Sequence, residues 1–134
     1  MTNREHIDFL INQAGEDFRA ALVLADAGFY GHALFWAHLV LEKFCKALWI
    51  FKNQNPVYPY IHNLLRLLKE SNVELSNDQI EFYAEMNQFQ AQGRYSDELK
   101  KMENTVNNEL AIQYLENTKK EMKWLLNQMQ KNQL

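Results

Sequence analysis

Residues 31–51, GHALFWAHLVLEKFCKALWIF, decide the fold. Of the nineteen positions from Ala33 to Phe51, fifteen are apolar; the exceptions are His38, Glu42, Lys43 and Lys46. Wound at 3.6 residues per turn, Leu34, Ala37, Leu41, Phe44, Cys45, Leu48 and Phe51 share one broad face. His38, Glu42 and Lys46 follow one another at i+4 and form a stripe on the other side, with Lys43 beside it and Phe35, Leu39 and Trp49 interleaved. A helix apolar nearly all round is either buried in a protein core or spans a membrane. Glu42, Lys43 and Lys46 in mid-segment, at about 2.5–3.5 kcal/mol each on insertion scales, argue against the span. The stretch is expected to be the central helix of a soluble helical protein, and its few charges need partners.

The flanks agree with that expectation. Ile7, Leu10, Ile11, Ala14, Phe18, Ala21, Leu22 and Ala25 recur at three- and four-residue steps, which predicts a first helix over 4–27, capped by Thr2 or Asn3. Gly15 inside it is either tolerated or allows a close helix contact. Gly28 suits the left-handed end of that helix, and the short link to the central helix makes the two antiparallel neighbours. Asn55-Pro56 ends the central helix, and Val57-Tyr58-Pro59-Tyr60 reads as an extended connector. A short helix over 62–70 follows, with His62 at its opening as a structural cap or hydrogen-bond partner and Leu64, Leu67 and Leu68 inward. Ser76 and Gln79 form a capping box for a fourth helix reaching about Phe89. Residues 90–102 read as a loop, and 108–130 as a last helix with the stripe Ala111, Leu115, Thr118, Met122, Leu125 and Met129. The fold class is all-α: an up-and-down helical bundle of four main helices plus a short one, with residues 1–134 as a single domain.

Composition removes several function classes. A net charge of −3 argues against strong nonspecific binding to nucleic acid, which needs many Lys and Arg contacts to phosphate. One cysteine, Cys45, allows no internal disulfide and falls on the apolar face, as a buried thiol does. The charged start, MTNREHIDF, is not a signal peptide, so a cytoplasmic, membrane-free protein is expected. No metal site is expected, because Glu-x-x-His motifs are missing, and no cofactor is implied.

Four short motifs in order resemble the HEPN domain family. Gly28-Phe29-Tyr30-Gly31-His32-Ala33 resembles its G-x-Y-x-x-A entry to the second helix. Leu41-Glu42-Lys43-Phe44-Cys45-Lys46-Ala47-Leu48 resembles its EKxxKAL core, and His62-Asn63-Leu64 its H-x-L start to the third helix. Tyr83 with Gly93-Arg94-Tyr95-Ser96-Asp97 resembles its Y…RYPD segment. The resemblance implies a helical bundle, often dimeric, in small prokaryotic proteins, many encoded beside a minimal nucleotidyltransferase in toxin–antitoxin or related pairs. It also implies one of two activities, metal-independent RNA cleavage through Arg-x4–6-His or nucleotide binding without cleavage. This chain lacks the cleavage motif: none of Arg4, Arg19, Arg66 and Arg94 is followed by histidine at that spacing, and no histidine follows Arg94. Ile61 and Ser96 replace the family's usual threonine and proline.

A non-catalytic binding or interaction protein is therefore expected, one that dimerises and pairs with a nucleotidyltransferase or binds a nucleotide; a helical adaptor with no ligand of its own is the plainest alternative. Lys43, Lys46 and Arg94, with Tyr95 or Trp49 to stack on a base, are the candidate phosphate-binding residues; Glu42, His62 and Asp97 are the supporting polar cluster. Against this stands a plainer reading, in which Glu42 and Lys46 form an i,i+4 pair and Arg94 pairs with Asp97. The alternative function is a ribonuclease toxin with a non-standard site, with Arg94 and His62 brought together in space.

Overall fold

The structure is a computed structural model, and it describes residues 1–90 and 106–131, for Lys131 the backbone alone. Those residues form an all-helical bundle. Three helices of 24 residues, α1 (Asn3–Asp26), α2 (Tyr30–Asn53) and α5 (Asn108–Lys131), are joined by the short α3 (Leu64–Glu70) and the ten-residue α4 (Asn77–Met86), which a 3-10 turn extends to Phe89.

Local chemistry sets the ends. Thr2 and Ser76 each make a complete capping box, with Glu5 and with Gln79, so the first orphan N–H groups of α1 and α4 are satisfied. Gly28, at φ 88°, turns the chain from α1 into α2 in the left-handed conformation that glycine adopts without steric cost. Gln54 ends α2 in the same region at φ 52°. Asn63, not His62, caps α3: its side chain accepts from the Arg66 N–H, and His62 lies just outside the helix. The His62 ring is engaged by Glu42 instead, as a hydrogen-bond partner, and the helix starts two residues later than the sequence reading placed it.

The hub is α2. It packs against α1 along its length, and the start of α1 meets the end of α2, where Arg4 and Ile7 share a small cleft with Ile50 and Phe51; the two are antiparallel. α5 and α3 cover the rest of α2. Leu34, Ala37, Val40, Leu41, Cys45, Ala47, Leu48 and Ile50 are fully buried, and no large apolar residue of α2 is exposed. Phe35, Trp36, Leu39, Trp49 and Phe51 are partly covered. The exposed apolar side chains lie elsewhere, among them Phe9, Leu22, Val23, Phe29 and Ile112. Leu22 departs from the inward stripe expected of α1, because Phe18, Ala21 and Ala25 already fill that face. Gly15 makes no close helix contact either; a methyl group added there would touch nothing. No described helix is long and apolar enough to cross a membrane.

Candidate functional site

The polar stripe of α2 turns inward. His38, Glu42 and Lys46 are 1%, 6% and 8% exposed, so each needs a compensating group. Glu42 supplies most of it. Its Oε2 accepts from Lys46 Nζ at 2.8 Å, and its Oε1 is 2.9 Å from His62 Nδ1. Burial works against the Glu42 charge, but the bonds from Lys46 and His62 outweigh it, and the carboxyl titrates below its ordinary value. The i,i+4 pair read from the spacing therefore forms and is buried, and His62 reaches it from the connector before α3.

His38 is the neutral member. Burial holds its imidazole down at about 4 although Glu42 pulls the other way. Its Nδ1 stands 3.9 Å from Glu42 Oε1, too far for a hydrogen bond, and its Nε2 has no partner among the described residues. The connector closes the cluster from outside: Lys46 Nζ lies 5.0 Å from the centre of the Tyr58 ring and 5.8 Å from that of Tyr60, both within cation–π range. Tyr60, the most exposed of these rings, also meets His62 edge-on. Asn87 fixes the approach of α3: its side chain accepts from the Leu64 N–H and donates to Asn63 Oδ1.

Glu42, Lys46 and His62 thus come together as expected. Lys43 does not join them; its ammonium is taken by Asp17 of α1. Asp17 was not anticipated, although its place beside Phe18 on the inner side of α1 is visible in the periodicity. Arg94, Tyr95 and Asp97, with the 90–102 loop reading from Ala91 on, lie outside the described residues. Trp49 is half-buried, and its Nε1 has no partner among the described residues. Cys45 is fully buried, and burial pushes its thiol far above the reactive range. Among the described residues no group of three or more His, Cys, Asp or Glu is arranged to hold a metal ion.

Chemically, the cluster offers one cation held by one carboxylate, aromatic rings at its mouth, and a histidine oriented through Nδ1. Nδ1 of His62 is engaged by Glu42, and the side chain is 27% exposed. No curated protein and no solved structure matches the chain. The family model described as the HEPN domain matches residues 7–131, a span that holds α2, the connector, His62 and every other element of the cluster. The chain therefore belongs to the HEPN domain family.

Proposed function

We propose that this HEPN protein is a non-catalytic binding module that takes a nucleotide at the mouth of the α2 cluster and pairs with a nucleotidyltransferase. The observation that carries the reading is Lys46: a nearly buried ammonium held by Glu42 beneath the rings of Tyr58 and Tyr60. A fixed cation next to an exposed ring suits a phosphate with a base attached, the cation for charge and the ring for stacking. Arg94 and Tyr95 would complete the site, with Asp97 and His62 as polar support; Lys43, held by Asp17 of α1 away from the cluster, contributes least. The absent Arg-x4–6-His motif supports binding over cleavage.

Calorimetry with ATP and GTP tests it. Binding that weakens with added salt and drops by roughly 1–3 kcal/mol in Arg94→Ala, as for a charge-assisted bond, is the expected result. A similar loss is expected in Lys46→Met. No binding at millimolar nucleotide, or binding unchanged in both variants, refutes the nucleotide site. The partner is tested by co-purification with a small nucleotidyltransferase encoded in the neighbouring reading frame.

One observation favours a second reading. A histidine oriented by a buried carboxylate through Nδ1 is the arrangement a general base uses. Paired with Arg94, His62 would serve a ribonuclease toxin with a non-standard site.

A further inference from the structure

A groove of about 420 Å³ runs between the first turns of α4 and the middle of α5, on elements separate from the Glu42 cluster. Phe82 and Trp124 give it aromatic walls, and Asp78, Lys120 and Glu121 are its charged lining residues. The volume falls within the range of small-ligand pockets. Glu121 is the unusual member. It is a carboxylate only 5% exposed, in the middle of a helix. Tyr83 Oη donates to its Oε1 at 2.9 Å, and Gln79 Nε2 donates to the same oxygen at 2.8 Å. Both donors are neutral. Among the described residues Oε2 accepts no hydrogen bond, and no cation pairs with the carboxylate. Glu42 differs on each count, since Lys46 neutralises it and both of its oxygens are used.

An ionised carboxylate can accept about four hydrogen bonds, so among the described residues half the capacity of Glu121, a lining residue of the groove, is unspent. The groove is not a cup for anions. The Ser76 hydroxyl and the Gln79 side chain are occupied in the capping box, and two carboxylates outnumber one lysine in the lining. A ligand that complements the described lining brings donors, positive charge and a flat face for the indole. We infer that this groove is a recognition site for a guanidinium group, presented as an arginine side chain on a partner protein. Guanidinium is planar, sheds water more easily than ammonium, stacks on tryptophan and can direct its fixed N–H donors at the one open oxygen, Oε2. The inference is independent of the nucleotide reading, which concerns other residues.

The test is a heteronuclear NMR titration of the full chain, read at the Trp124 indole N–H and the backbone amides of residues 117–124. The probes are the blocked peptide Gly-Arg-Gly, its lysine analogue and agmatine as a free small molecule. The arginine peptide should give saturable shifts at millimolar concentration, with the lysine peptide weaker on the order of tenfold, because ammonium neither stacks on the indole as a plane nor sheds its water as easily. Glu121→Gln keeps an oxygen for Tyr83 and Gln79, so the variant should fold and lose at least that factor. Trp124→Leu, read at the amides, should also weaken binding. Equal binding of lysine and arginine peptides, no saturable shift, or unchanged binding in both variants overturns the assignment. Agmatine binding more tightly than the arginine peptide also overturns it, in favour of a free metabolite.

Discussion

At Glu42 two bonds converge on one buried carboxylate, and removing it leaves Lys46 charged with no acid. Truncating one partner of a buried pair costs about 3–5 kcal/mol, because the other charge is stranded. Glu42→Ala should fall in that range in urea unfolding, and Glu42→Gln should cost less; a loss below 1 kcal/mol in Glu42→Ala would show that the pair is not structural. His38 makes stability depend on pH. Unfolded, its ring titrates near 6.5, and folded, at about 4. Between those values the unfolded chain holds the extra proton. Stability is therefore complete above 6.5 and falls as the pH drops towards 4, by roughly 3 kcal/mol in all. Glu42, lowered in the folded state, acts in the same direction at more acid pH. Unfolding midpoints should fall from pH 7 to 4.5 in the wild type, and His38→Gln should flatten the curve. A flat wild-type curve contradicts a buried neutral His38. The stripe itself was visible in the sequence as i,i+4 spacing. Its burial was not, because the cover comes from Tyr58, Tyr60 and His62, residues in a connector with no periodicity to read.

Elements show their own sequence signals more openly. The two glycines of the α1–α2 hairpin region should respond in opposite ways. Gly15 sits in a helix with free space around its missing Cβ, so Gly15→Ala should stabilise by about 1 kcal/mol. Gly28, at φ 88°, holds a conformation that strains any side chain, and Gly28→Ala should destabilise by about 1 kcal/mol or more. Thermal unfolding of both variants checks the pair, and shifts of the same sign contradict it. The capping box at Ser76 was legible as Ser-x-x-Gln, and the structure forms both of its bonds. The stripe of α5 was legible except at one step. From Thr118 both three and four residues are in phase, and hydropathy favours Met122. The structure buries Glu121 instead and leaves Met122 partly covered, because Tyr83 and Gln79 of α4 supply donors for a carboxylate at that point. Donors on another helix leave no trace in the period of α5.

For the whole molecule, the all-helical bundle and the family follow from the pattern of α2 and the order of the four motifs. Self-association was expected from apolar residues on both faces of α2, and no large apolar residue of that helix is exposed, although five are only partly covered. A different surface replaces it: Leu22 and Ile112 are exposed and line one groove of about 290 Å³ between α1 and α5, and Asp26, Glu116 and Lys119 stand along it. We propose that this face pairs two copies of the chain, with Asp26 and Glu116 of one copy able to meet Lys119 of the other at its rim. Light scattering should give about twice the chain mass of 15.9 kDa at micromolar concentration, and Leu22→Asp should reduce it. A mass equal to the single chain throughout, in the absence of a partner, contradicts the homodimer. The question that divides binding from catalysis is whether His62, oriented by Glu42, ever acts on RNA. The most direct measurement is incubation of the purified chain with structured and unstructured RNA in EDTA, alongside His62→Ala and Arg94→Ala. A non-catalytic HEPN module leaves both RNAs intact, and cleavage that survives repurification and vanishes in either variant would contradict it.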